Sequence, residues 1–272
     1  MNPRQRILAS VVFQKVDRVP YDFFDEAGDL FVEGRYRPAE RLRLTYAQQI
    51  QARVRFHQKY QTDLIFDTPV LIPSKVPHRV TLTYEGPPVI APEPLLSSIS
   101  GMAWNAMPPC VLGAGLLPET TRGTVVKHVA WANGCSSSEA LDLDTGTSDI
   151  LKPLFASPAD LLAHLDCVAG NLPRADYTWT NQLRAQVGPD VMLSATLLDP
   201  FSAIGWYVGN EALMYLLYDD SRTLTQICDA LLEMATATGR DMIRHGLDMF
   251  RIGAATSCLL SPDLYRQFCL PY

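Results

Sequence analysis

Short apolar runs alternating with amphipathic helical stretches constrain this chain more than any other feature of its sequence. Such runs lie at 21–24, 64–66, 191–198 and 249–252, and turn residues bound them. Between them, apolar side chains recur at spacings of three or four, the period of a helix with one buried face. Within 38–60, for example, Leu42, Tyr46, Ile50, Val54 and His57 fall in register. Further helices are predicted over 4–15, from Ser157-Pro158, over 176–186, 203–218 and 221–245, and from Ser261-Pro262. A Ser before Pro starts a helix well, because the hydroxyl caps a free amide and the ring removes another. Gly246 is placed to end the longest helix. Strands alternating with helices imply parallel βα units joined by right-handed crossovers. The fold class is α/β, with four such units.

The stretch at about 70–155 breaks this rhythm. Val80-Thr81-Leu82-Thr83-Tyr84 alternates as a half-exposed strand does, and so do residues 125–129. Pro87-Pro88, Pro92, Pro94, Pro108-Pro109 and Gly113 separate them. The reading is an insertion of antiparallel hairpins and loops after the second strand, within a single domain spanning 1–272.

Composition removes several classes of function. With 272 residues, 47% of them hydrophobic, the chain has ample core material. A net charge of −6 disfavours a sequence-independent nucleic-acid binder. No apolar run approaches the ~18 residues of a membrane span, and Met1-Asn2-Pro3-Arg4-Gln5-Arg6 has no secretory core, so a cytoplasmic protein is expected. The six cysteines form no Cys-x-x-Cys pair and are read as reduced thiols. No phosphate loop, nucleophile elbow or His-Glu-x-x-His motif occurs.

In alternating β/α proteins chemistry sits at the C-terminal ends of the strands. The first strand empties into a loop holding Asp25, Glu26 and Asp29. Asp67 follows the second strand, where it would either coordinate a metal, take a proton, or cap loop amides before Pro69. Asp199 ends the third strand and either serves the site or caps the helix opening at Pro200. Trp206 and Tyr207 lie in that helix, as pocket walls or as core. On the fourth strand Arg251 alternates in facing with Phe250 and Ile252, and is placed to pair with Asp67 or Asp199.

Several segments resemble the uroporphyrinogen decarboxylase superfamily, which includes corrinoid-dependent methyltransferases. They are the opening 4–29, Asp63-Leu64-Ile65-Phe66-Asp67, Leu197-Leu198-Asp199-Pro200-Phe201-Ser202 with Gly209-Asn210-Glu211, and Gly246-Leu247-Asp248-Met249-Phe250 leading to Leu260-Ser261-Pro262 and Leu270-Pro271-Tyr272. The resemblance implies a (β/α)8 TIM barrel of which this chain carries the first four βα units, the rest expected after Tyr272. A half-barrel completed as a homodimer is the alternative.

The resemblance also bears on substrate. Uroporphyrinogen decarboxylases meet a substrate of eight carboxylates with an Arg-Gln-Ala-Gly-Arg loop after the first strand. Here that frame reads Asp25-Glu26-Ala27-Gly28-Asp29, so both arginine positions hold aspartate. The change shifts local charge by about four units and disfavours a polyanion. Gly34-Arg35-Tyr36-Arg37-Pro38 resembles a later family segment, and an insertion there would restore an arginine through Arg35. Asp67 falls where the decarboxylases place their catalytic aspartate, and Trp206 where they carry a substrate-contacting tyrosine. Ala255 occupies their serine position, with Thr256 and Ser257 beside it.

The resulting expectation is a methyltransferase-like enzyme, moving a methyl group between a corrinoid protein and a small thiol or other acceptor. Its zinc would be held by a His-x-Cys and a later Cys beyond Tyr272, not by Cys258 or Cys269. Uroporphyrinogen decarboxylation, which needs no cofactor, is the alternative. A non-catalytic remnant is the second.

Overall fold

The computed structural model describes residues 1–21, 46–65, 78–91, 123–131, 136–142, 148–152, 155–168, 177–254 and 256–272. The expected first strand, the loop with Asp25 and Asp29, Arg35, the start of the 38–60 helix, and Asp67 lie outside them.

Three strands form a parallel sheet in the order β1 (Leu64–Ile65), β7 (Met192–Leu198), β8 (Met249–Gly253). Their register sets Leu64 beside Met192, and Thr196 beside Arg251. These are the second to fourth strands expected from sequence, adjacent and parallel as βα units require. A closed barrel is not among the described residues.

Between β1 and β7 stands a five-stranded antiparallel sheet, ordered β3-β2-β4-β5-β6: β2 (His78–Tyr84), β3 (Gly86–Ala91), β4 (Thr124–Trp131), β5 (Ser136–Asp142), β6 (Ser148–Lys152). The insertion is therefore more regular than the sequence suggests. Pro87-Pro88 lies in a strand and not in a loop, because β3 is an edge strand whose register shifts between Leu82 and Tyr84. An edge with a bulge tolerates residues that lack an amide. Polar β5 escapes an apolarity reading because its pairing with β4 runs unbroken from Thr124–Asp142 to Ala130–Ser136.

Helices α1 (Pro3–Val11), α2 (Tyr46–Tyr60), α3 (Pro158–Val168), α4 (Thr178–Val187), α5 (Pro200–Val208), α6 (Asn210–Asp219), α7 (Ser221–Arg244) and α8 (Pro262–Phe268) complete the described elements. The helix expected over 203–218 is two helices. Gly209, at φ +91°, takes a conformation other residues resist, and breaks α5 from α6. Helix α1 ends at Val11, four residues early, where Val12 closes the last turn and Phe13 adopts φ +56°.

Two apolar clusters pack these layers. One gathers Leu165, Phe201, Ile204, Tyr207, Leu213, Ile227 and Phe268 among α3 and α5–α8. The other sets Ile50 and Val54 of α2 and Leu183 of α4 against Ile65, Leu193 and Leu197.

Helix α1 spans the N-terminal ends of all three parallel strands. The Arg4 amide donates to Asp190 O at 2.8 Å, and Asn2 Nδ2 to Asp190 Oδ1 at 2.8 Å, just before β7. Arg4 Nη1 reaches Asp248 Oδ1, before β8, at 2.5 Å. Arg6 Nη1 bonds Asp63 Oδ1, before β1, and Arg18 takes Asp63 Oδ2 at 2.6 Å. Arg184 completes the set, bonding Asp248 and the Gly246 carbonyl. The Asp63 side chain is fully buried and that of Arg6 is 8% exposed. Arg6 also hydrogen-bonds Asp17 and so holds that carboxyl below its usual range.

Removing one partner of a buried ion pair leaves the other charge uncompensated. Asp63→Ala, which leaves Arg6 with Asp17 as its only carboxylate and Arg18 with backbone acceptors alone, is expected to cost about 3 kcal/mol. Urea unfolding followed by circular dichroism measures it; a loss below about 1 kcal/mol would show that this end is not clamped through Asp63.

Candidate functional site

The opposite, C-terminal end of the same sheet carries the candidate site. Asp199 leaves β7 and its amide donates to Gly253 O at 2.9 Å, extending the β7–β8 pairing. Its extended backbone and Pro200 at the first helical position make it the N-cap of α5, where Oδ1 accepts from the Ser202 amide at 3.0 Å. The capping role read from sequence is thus present. The carboxylate is only 7% exposed, and Oδ2 has no hydrogen-bond partner. Buried polar atoms are nearly always paired, so this oxygen stands out.

The segment after β8 is tied to the same helix. The Thr256 amide donates to Ser202 Oγ at 3.0 Å, and Thr256 Oγ1 to Asn210 Oδ1 at 3.5 Å. Ser257 Oγ donates to Ala254 O at 2.7 Å. Gly205 makes room for this junction: a Cβ there would lie 2.5 Å from Asn210 Oδ1 and 3.2 Å from Thr256 Oγ1. Two strand ends are thereby fastened to one helix start.

Two thiols approach from behind. Cys228 of α7 and Cys269, which follows α8, are both buried. Burial, with smaller contributions from Cys269 and Asp199, pushes the Cys228 thiol up to about 12. Burial and then Asp199 push Cys269 up to about 11. Both stay protonated near neutral pH.

The remaining sequence candidates are distributed as follows. Phe250 packs toward Gly239 of α7 together with Leu197, so the alternation of β8 puts half-buried Arg251 on the other face, beside Thr196. Among the described residues Asp199 Oδ2 receives no hydrogen bond, from Arg251 or another. Trp206 is half-buried on α5. Tyr207 is 1% exposed, sits edge-on to Phe155 at 6.0 Å, and belongs to the helical core. Asp25, Asp29 and Asp67 lie outside the described residues, so the structure brings together only Asp199 and the strand bearing Arg251.

The sequence reading did not single out Cys228 or Asn210 for this region. His164 lies elsewhere, on α3 beside Phe155, where its buried Nε2 has no partner among the described residues and burial lowers its pKa. No short-range motif marks these residues, since distant helices bring them in. Among the described residues no three His, Cys, Asp or Glu side chains converge to hold a metal ion. No described helix is long and apolar enough to cross a membrane.

In a parallel α/β sheet the C-terminal ends of the strands are where ligands are held, and Asp199, Ser202 and Thr256 lie at that end here. The family model described as Uroporphyrinogen decarboxylase (URO-D) matches residues 129–272, and the chain belongs to that family. The match takes in β7, β8 and Asp199 and leaves out the opening loop with Asp25 and Asp29. No curated protein matches the chain.

Because the thiolate is the reactive form, the raised thiols should be slow. At pH 8, iodoacetamide is expected to label Cys228 and Cys269 at least about 100-fold more slowly in the folded protein than in urea, as thiols raised from ~8.5 to 11 or above would be. Exposed Cys258 should label first. Peptide-resolved mass spectrometry reads all three, and rapid native labelling of Cys269 would contradict the packing described.

Proposed function

We propose that this chain is a methyltransferase-like member of its family, moving a methyl group between a corrinoid protein and a small thiol or other acceptor in the cytoplasm. The observation that carries the reading is the acidic pair Asp25 and Asp29, at positions where the resemblance puts the arginines that meet uroporphyrinogen. Like charges in a shielded site cost free energy, so a substrate of eight carboxylates is disfavoured there. The buried Asp199 carboxylate, at the same end of the sheet by its place after β7, adds to this negative character.

The zinc that this chemistry implies finds no ligand set among the described residues, and the resemblance puts its ligands beyond Tyr272. A bound zinc supplies a thiolate by lowering the acceptor's pKa. This chain's own residues would position the acceptor. The Asp199–Ser202–Thr256 junction fixes the two strand ends, and an immobile frame is what orientation of two reactants needs. Decarboxylation remains the second reading, favoured by the segment Gly34-Arg35-Tyr36-Arg37-Pro38, which resembles the decarboxylases.

Incubating the full-length protein anaerobically with uroporphyrinogen III, then oxidising and separating the porphyrins, tests the choice. The expected result is unchanged uroporphyrin, alongside thiol-dependent loss of methyl from methylcobalamin. Accumulation of products with fewer carboxylates would overturn the proposal.

A further inference from the structure

Helix α1 turns one face inward to hold the sheet and leaves another bare. Arg6, Ile7 and Ala9 are buried, whereas Leu8, Val11 and Val12 are each more than half exposed and Phe13 is 98% exposed. The helix closes in a hydrogen-bonded turn: the Gln14 amide donates to Ala9 O at 2.8 Å and the Phe13 amide to Ser10 O at 3.1 Å. That pattern puts Phe13 where a glycine usually stands, and its φ of +56° is strained for a bulky side chain. Burial within the described chain offsets neither the strain nor the exposure of this ring. Backbone strain of this kind clusters where a protein holds something else.

We infer that this face of α1 binds a second copy of the same chain, as an isologous dimer about a two-fold axis near Val11. Leu8, Val11, Val12 and Phe13 together expose on the order of 500 Å², toward the upper end for one apolar patch on a monomer. Two such patches face to face bury about 1,000 Å², the lower bound of a specific interface, so the dimer is a weak, reversible one. None of the four carries a charge, and the neighbouring arginines are spent on carboxylates of this chain: Arg4 on Asp248, Arg6 on Asp63 and Asp17, Arg18 on Asp63. A strongly acidic or basic partner therefore finds little to pair with. Exposed Lys15 alone does not make the basic rim that holds a helix on a lipid surface. A neutral apolar face is matched in size and chemistry by its own twin. In an antiparallel approach of two α1 helices, Leu8 of each copy comes opposite Phe13 of the other, and the valines meet near the axis. Because ion pairs already pin α1 to the sheet, docking needs no rearrangement.

Sedimentation velocity of the full chain between about 1 and 100 µM reads the association. The wild type is expected to pass from monomer to dimer within that range. Phe13→Gly removes the aromatic anchor and relieves the left-handed strain, so its Tm should be no lower than that of the wild type. Leu8→Glu puts a charge on an already exposed helix position. Each variant should raise the dimer dissociation constant at least about tenfold. A wild type that stays monomeric up to about 100 µM overturns the inference, and so does a dimer that either folded variant leaves unweakened. A monomer that instead floats with phosphatidylcholine vesicles, and loses this with Phe13→Gly, also overturns it, in favour of a lipid surface. Self-association is measured without substrate, so this inference and the methyl-transfer reading fail separately.

Discussion

The parallel sheet depends on charge pairing at its N-terminal ends. Asp63, Asp190 and Asp248 each precede a strand, and side chains from one short helix, α1, reach all three. Parallel strands cannot be joined by tight turns, so their relative register must be held by something that crosses them. The N-cap Asn2 with Arg4 and Arg6 of the first turns of α1 does this, while Arg18 and Arg184 add further bonds to Asp63 and Asp248. Ion pairing here serves geometry more than net stability, since desolvating so many charges consumes much of what their attraction returns.

Fixing one end of the sheet leaves the other free to carry polar groups. At the C-termini of β7 and β8 the sheet hands over to α5 through a run of side-chain-to-backbone bonds, with Ser202 as both donor and acceptor. Gly205 and Gly209 do unlike work there. The first lacks a side chain so that Thr256 and Asn210 can approach, and the second turns the backbone so that α6 leaves α5. The two ends divide labour, one tied to α1 by ion pairs, the other to α5 by a cap and backbone bonds.

Much of this was legible in the residues themselves. Strands β7 and β8 announce themselves as continuous apolar runs because they are covered by helices. Asp199-Pro200 and Ser261-Pro262 mark helix starts through local hydrogen bonding, and both caps form. Where the reading fails, the determinant is not local. Strand β5, Ser-Ser-Ser-Glu-Ala-Leu-Asp, is held by its cross-strand partners and not by apolarity. The break at Gly209 looks like ordinary helix sequence until its backbone angle is known. For the site, the cap at Asp199 was readable. Its buried oxygen was not, because that depends on which side chains the fold brings around it.

The prolines of β3 have a consequence for how this protein behaves in company. An antiparallel sheet ending in a bare strand offers a ladder of amides and carbonyls on which a stranger's backbone can add. Of the two successive amides that Pro87 and Pro88 remove, one belongs to the open edge and one to the side facing β2, and the pairing shifts register beside them. Addition of a further strand at that margin is thereby blunted.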